Sequence, residues 1–282
     1  MIPNIIKNFI SDEEIALLRD HEYDWISNII LQYNGLPCLI DIWKEMDIVW
    51  EQYNCDVRVM DERISQFYKH PIWLLNGFFV ENDKLSKANR DLFLKWIVEK
   101  SPKRIADFGG GFGTLARMIA QAMPNSIVEV IEPHPSDIAL IRAKRFSNLS
   151  YKATFEGEYD LIIATDVFEH VQDPLFLFLQ TASYLTPKGN YLTANCYAPV
   201  IKCHLPQNFH FSQSWDYVVK AMGMSISKHL LYGTVFQRNS DLQIAKARIL
   251  ECRSEMLWNI TRNFPGRVNR AFAKVLFITV WA

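Results

Sequence analysis

The spacing of apolar residues changes near Lys103. Before it the pattern is helical. Ser11 to Glu14 reads as a capping box in front of Ile15, Leu17 and Leu18. Ser86 is placed to cap a helix carrying Leu92, Leu94, Trp96 and Ile97, and Pro37 and Pro71 punctuate the segment. Residues 1–100 are therefore predicted to form a helical cap. Trp73, Phe78 and Phe79 read as its core, with one wall of a substrate pocket as the alternative.

From Lys103 short apolar runs alternate with amphipathic stretches, the pattern of a parallel sheet with crossover helices. Strands are predicted at Arg104–Phe108, Ile127–Ile131, Ser150–Thr154, Leu161–Thr165 and Asn190–Ala194. Helices fit at Thr114–Ala122, Asp137–Phe146, Leu175–Leu185 and Trp215–Met222. Two more strands are expected, one within Ile226–Gln237 and one at Val275–Trp281, with a helical insertion near 240–272. The alternative pairs two strands within 224–238 and leaves the tail helical. The fold class is α/β: a doubly wound, mostly parallel, seven-stranded, Rossmann-like sheet over residues 101–282.

Composition narrows the functions available. Nearly half of the 282 residues are apolar, enough for a full core, and 30 basic residues nearly balance 31 acidic ones. A chain so close to neutral lacks the basic surplus that phosphate binding uses, which argues against nucleic acid as partner. Five cysteines (Cys38, Cys55, Cys196, Cys203, Cys252) are scattered without paired metal spacing and read as thiols of a reducing compartment. The first ten residues are too polar for a signal peptide, and no apolar run has membrane-spanning length. These features predict a soluble, cytoplasmic protein.

The chemistry is concentrated between Arg104 and Pro133. The first predicted strand ends at Asp107. Gly109, Gly110, Gly111 and Gly113 follow, then a helix, then a strand closed by Glu132. Glycines let the backbone turn sharply and approach a ligand, and the helix behind them aims free amides at it. Glu132 can accept both hydroxyls of a ribose. Gly111, Gly113 and Ala116 satisfy the dinucleotide spacing G-x-G-x-x-A, whereas Asp107, Gly109, Gly111 and Gly113 satisfy D-x-G-x-G-x-G. An acid at the strand tip repels a pyrophosphate and suits a cation, sulfonium or amine, which favours S-adenosylmethionine over a nicotinamide cofactor.

On these residues the stretch from 103 to about 238 resembles the class I S-adenosylmethionine-dependent methyltransferases. Asp107-Phe108-Gly109-Gly110-Gly111-Phe112-Gly113 is similar to the family's first motif. Glu132 falls at its ribose position. Tyr159 to Ile163 and then Asp166 to Val171 resemble its fourth strand and following loop, and Leu185-Thr186-Pro187-Lys188-Gly189 the turn before its fifth strand. Lys188 departs from the usual glycine. No clean match supplies the adenine contact; Phe155 and Glu156 both remain open. The resemblance implies a cofactor site at Asp107, Gly109, Gly111, Gly113, Glu132 and Asp166.

For the transfer itself the protein must align the reactants and remove a proton where the nucleophile is a hydroxyl. Glu169 and His170, after the fourth strand, are candidates, and His170 suits a base near neutrality. His204 and His210 lie after the fifth strand, and His210 is preferred because Phe211 and Ser212 lead from it to the next helix. Asp166-x-x-Glu169-His170 also resembles the Glu-x-x-Glu-His metal ligands of ubiquinone-biosynthesis O-methyltransferases and of small-RNA 2′-O-methyltransferases, with His210 as a possible further ligand. A divalent metal is not favoured, because Asp166 is a methylene short of glutamate. The expected activity is methylation of a small-molecule acceptor, at oxygen, with aromatic residues (Trp73, Phe78, Phe79, Tyr197, Phe209, Phe211) around an acceptor with an apolar or ring-like part. The alternatives are an RNA 2′-O-methyltransferase, a nicotinamide oxidoreductase, and a binding module without catalysis. Oligomeric state is not legible.

Overall fold

The computed structural model describes residues 6–263. In chain order its elements are α1 (Asp12–Ile15), α2 (Asp20–Gln32), α3 (Leu39–Gln52), α4 (Glu62–Tyr68), α5 (Ile72–Asn82), α6 (Lys84–Lys100), β1 (Arg104–Phe108), α7 (Thr114–Ala122), β2 (Ile127–Ile131), α8 (Asp137–Ala143), β3 (Leu149–Lys152), β4 (Tyr159–Thr165), α9 (Pro174–Ala182), β5 (Leu185–Ala194), α10 (Trp215–Ala221), β6 (Met224–His229), β7 (Thr234–Arg238) and α11 (Ala245–Thr261). Short 3-10 turns occupy Ile6–Asn8, Phe168–His170 and Pro206–Ser212. The seven strands follow the order β3-β2-β1-β4-β5-β7-β6. β1 pairs with β4, β4 with β5 and β2 with β3 in parallel, and β7 pairs antiparallel with β5 and β6. Strand order reverses beside β1, the place where doubly wound sheets bind ligands beyond their carboxyl ends.

The chain divides into two compact units. The first comprises Met1–Lys103, Gly109–Thr154 and Val200–Cys203; the second comprises Arg104–Phe108, Phe155–Pro199 and His204–Ala282. In the first, the helices pack Ile26, Ile30, Ile42, Met46, Val49, Phe67, Leu75 and Phe78 into one core. Each such side chain contributes about 1.5–3 kcal/mol of hydrophobic stabilisation. Both halves of the predicted capping box form: Ser11 N–H donates to Glu14 (3.0 Å) and Glu14 N–H to the Ser11 hydroxyl (3.2 Å). Phe78 and Phe79 are buried, as expected of core residues. In the second unit, Phe178 stacks on Tyr191 at 4.7 Å, and Phe168, Trp215 and Phe236 complete an aromatic core.

Several boundaries differ from expectation. Asp83, not Ser86, caps α6: its carboxylate accepts the Ser86 N–H at 2.8 Å, so the helix begins three residues earlier. Leu185 opens β5 instead of ending α9. The single strand expected within Ile226–Gln237 is corrected to a hairpin of β6 and β7, the alternative reading. The turn closes by a bond from Leu230 N–H to the Gly233 carbonyl at 2.7 Å. The broken apolar pattern at Leu230 to Gly233 is a turn within sheet-forming sequence. The strand expected at Val275–Trp281 lies outside the described residues, as does the last part of the 240–272 insertion, of which α11 is the described helix.

Candidate active site

In the first unit the glycine loop is fixed by its own backbone. Gly109 N–H donates to the Ile131 carbonyl at 3.0 Å and Gly113 N–H to the Gly110 carbonyl at 2.8 Å. Gly109, Gly111 and Gly113 have φ of 65°, 49° and 71°, the left-handed region that residues with a β-carbon rarely adopt. A β-carbon on Gly111 would meet only the Gly109 carbonyl oxygen, at 4.0 Å. That glycine therefore opens space instead of relieving a packing clash, which is the form expected of a ligand cradle. The Tyr151 hydroxyl donates to the Gly111 carbonyl at 3.1 Å and braces the loop from β3. Glu132, half-buried at the end of β2, accepts the His134 N–H at 3.1 Å through one carboxylate oxygen.

Phe112, at the loop's tip, is anchored from several sides. The Phe78 ring meets it edge-on at 5.5 Å, and the Arg117 and Arg142 guanidinium groups lie over it at 5.1 and 5.0 Å. Glu81 pairs with both arginines, and Arg142 also pairs with the buried Glu14 at 2.8 Å. Burial pulls the Arg117 guanidinium below its ordinary value, and Glu81 opposes that shift. The loop is thus tied to α5 and to the N-terminal helices through contacts that no motif announces.

In the second unit Asp107 is 3% exposed at the end of β1, paired in register with Ile163 of β4. Asp166 follows β4 with φ 54°, and its N–H donates to the Ala194 carbonyl of β5 at 2.7 Å. The Tyr232 hydroxyl, from the β6–β7 turn, donates to the Asp166 carboxylate. Sequence reading missed Tyr232, since a tyrosine in a hairpin turn carries no motif.

Glu169 is fully buried in the 3-10 turn after β4. Its Oε1 accepts the Cys196 N–H at 2.8 Å, while its Oε2 has no hydrogen-bond partner. Burial, reinforced by the nearby Asp166 charge, raises its carboxyl well above the usual range. Burial, with Glu169 and Asp166, pushes the Cys196 thiol up to about 11.

The structure brings Glu169 and His170 together with His204, not with His210. The His170 and His204 rings meet edge-on at 4.8 Å. Glu169, His170 and His204 each bring one potential ligand atom within 4.8 Å of the others, a set compact enough for a divalent ion. His210 is 4% exposed, and its Nδ1 lies 3.0 Å from the Ser254 hydroxyl of α11. Burial lowers its pKa to about 4. Phe155 stacks on Tyr184 at 4.9 Å, and the exposed Glu156 donates its N–H to the Tyr159 hydroxyl at 3.2 Å.

Residues 81–217, just under half of the chain, match a family model described as a methyltransferase domain. Among solved structures, a Nostoc punctiforme protein described as a candidate O-methyltransferase superposes with a TM-score of 0.50 at 16% identity, over 61% of this chain and 61% of that one. The match thus spans about three fifths of that protein's length. An O-methyltransferase family protein from Burkholderia thailandensis aligns at 15% identity over 77% of this chain and 73% of its own, with a TM-score of 0.47. Human N-acetylserotonin methyltransferase, solved with S-adenosylmethionine, aligns at 14% identity over 76% of this chain and 70% of its own, with a TM-score of 0.47. No curated protein matches the sequence. At such identities the structures speak for the fold alone. The family model marks residues 81–217 as similar to a methyltransferase domain, and the strand order is that of a doubly wound, mostly parallel sheet.

Proposed function

We propose that this chain transfers a methyl group from S-adenosylmethionine to an oxygen of a small-molecule acceptor. The observation that carries the reading is the left-handed glycine loop with open space at Gly111, followed by Glu132 directly after β2. Asp107 faces a cation at its strand tip. Gly109, Gly111 and Gly113 admit the cofactor to the backbone, Glu132 takes its ribose hydroxyls, and Asp166 faces it from the end of β4. A nicotinamide dinucleotide fits less well, because its pyrophosphate would meet the Asp107 carboxylate.

When bound, the cofactor supplies an electrophilic methyl on sulfur; the acceptor oxygen gains the O–C bond, and the S–C electrons return to sulfur. The protein's part is alignment and proton removal. His170, half-buried after β4, takes the hydroxyl proton. Glu169 accepts the Cys196 N–H and so shapes the loop after β5. His210 serves the packing of α11. Free thiols at all five cysteines and the absence, among the described residues, of a helix long and apolar enough to cross a membrane fit a cytoplasmic enzyme.

The test is calorimetry with S-adenosylhomocysteine, followed by a methyl-transfer screen of phenols, sugars, amines and short RNAs. Transfer to hydroxylated small molecules is expected. Turnover confined to RNA, with affinity rising steeply as salt is lowered, would replace the acceptor class.

A further inference from the structure

One face of α7 borders a cleft of about 500 Å³ that lies wholly within the first unit. Thr114, Arg117, Met118 and Gln121 recur on that face at helical spacing. Lys87 and Arg90 of α6 line the same space, with Arg142 of α8 and Arg145 just beyond it. A cavity of this size holds a small organic molecule. The residues assigned to the cofactor do not line it.

Five cations therefore meet in one cleft. Glu81 and Asp91 are the carboxylates that line it, and Glu14 reaches Arg142 and Arg145 from α1. Three carboxylates leave a surplus of two positive charges. The cations divide by role. Arg142 spends its guanidinium on Glu14, Glu81 and the Phe9 carbonyl. Arg117 spends its own on Glu81 and the Phe112 carbonyl. Both are 11% exposed, so they contribute charge from behind the wall. Arg90 donates to the Ser86 carbonyl at 3.1 Å. Lys87 is exposed and, among the described residues, forms no ion pair. Arg145 is 61% exposed, and its one carboxylate, Glu14, is 3.5 Å away. These two side chains can close on a ligand from α6 and from the turn after α8.

A phosphate monoester matches this inventory. It carries about two negative charges near neutral pH and three strong acceptor oxygens, which Arg and Lys recognise. Met118 and Phe146, both half-buried, give the cleft an apolar part for an organic group. A nucleic acid instead needs cations along a track that follows its backbone. We propose that this cleft binds a small phosphorylated molecule, with Lys87 and Arg145 on the phosphate and Met118 and Phe146 against the organic portion.

The test is calorimetry on the full chain with phenyl phosphate at fixed ionic strength. Inorganic phosphate, a short RNA, and vesicles of phosphatidylcholine and phosphatidic acid are titrated beside it. Phenyl phosphate should bind one to one with a Kd of about 1 mM or tighter, and inorganic phosphate more weakly. Lys87→Gln combined with Arg145→Gln should weaken phenyl phosphate at least about tenfold. Asp91→Asn removes an opposing charge and should tighten it at least about twofold. All three side chains are exposed, so the variants should melt with wild type. Saturating S-adenosylhomocysteine should leave the phenyl phosphate affinity in place. The absence of saturable phenyl phosphate binding would overturn the proposal. So would a double variant that binds as tightly as wild type. Displacement by S-adenosylhomocysteine would put the anion in the cofactor site and overturn it too. Binding of RNA or vesicles alone, lost in the double variant, would replace the small molecule with a nucleic acid or a membrane.

Discussion

The contact between α5 and the glycine loop gives a prediction that can be worked in numbers. Gly77 is buried in α5, and a β-carbon built there would lie 2.6, 2.8 and 2.9 Å from three carbons of the Phe112 side chain. Ordinary contact begins at 3.4 Å, so in Gly77→Ala the Phe112 side chain must withdraw by about 0.5–0.8 Å. Phe112 has little freedom, because Phe78, Arg117 and Arg142 surround its ring. Alanine improves helix propensity by about 1 kcal/mol, and overpacking costs about 1–3 kcal/mol. The net loss of stability is therefore about 0–2 kcal/mol, a fall of at most about 8 °C in Tm for a chain of this size. The cofactor should lose more in proportion, since Phe112 lies between Gly111 and Gly113. A loss of about 1.4 kcal/mol in binding is a tenfold weaker Kd for S-adenosylhomocysteine. Calorimetry beside a thermal melt reads both. A variant that melts lower yet binds within twofold of wild type would refute the idea that this contact governs the loop.

Gly111→Val should stay folded at a cost of about 1–2 kcal/mol for its left-handed backbone, while S-adenosylhomocysteine binding falls below detection by calorimetry. Glu81→Ala leaves the Arg117 and Arg142 guanidinium groups without their shared carboxylate and should destabilise the fold by about 2–4 kcal/mol in urea denaturation. Burial holds His210 and His70 at about 4, and the His70 Nδ1 accepts the Ile72 N–H at 3.1 Å. The folded state therefore resists protonation where the unfolded chain takes up protons. The stability this confers is full above pH 6.5 and is lost as the pH falls toward 4, with at most about 3 kcal/mol from His210. Urea midpoints at pH 7 and pH 5 should show the drop, and His210→Gln should flatten it.

Much of the fold was legible because its signals are local. The acid-tipped first strand, the glycines behind it and the acid closing β2 are neighbours in sequence, and the change from helical to strand spacing at Lys103 is plain. Errors arose where two neighbouring residue types compete. Asp83 and Ser86 can both cap a helix, and an ionised carboxylate accepts the stronger hydrogen bond. The β6–β7 turn was hidden because Leu231 and Tyr232 look like strand residues, although Leu231 is 82% exposed. The histidines posed a different problem. His204 and His210 have similar settings in sequence, and only the fold shows that α11 takes His210 while Asn208 and Leu205 draw His204 toward Glu169. Gly77, lodged in a helix far from the loop it admits, carries no sequence signal at all.

The central claim is that the carboxylate ending β1 and the glycine loop behind it receive a cationic, adenosine-bearing cofactor. Parallel calorimetric titrations of the wild-type protein with S-adenosylmethionine and with NADH test it directly. S-adenosylmethionine should bind one to one, Asp107→Asn should weaken that binding at least about tenfold, and NADH should give no heat of binding. Saturable binding of NADH, or no binding of S-adenosylmethionine, would contradict the account.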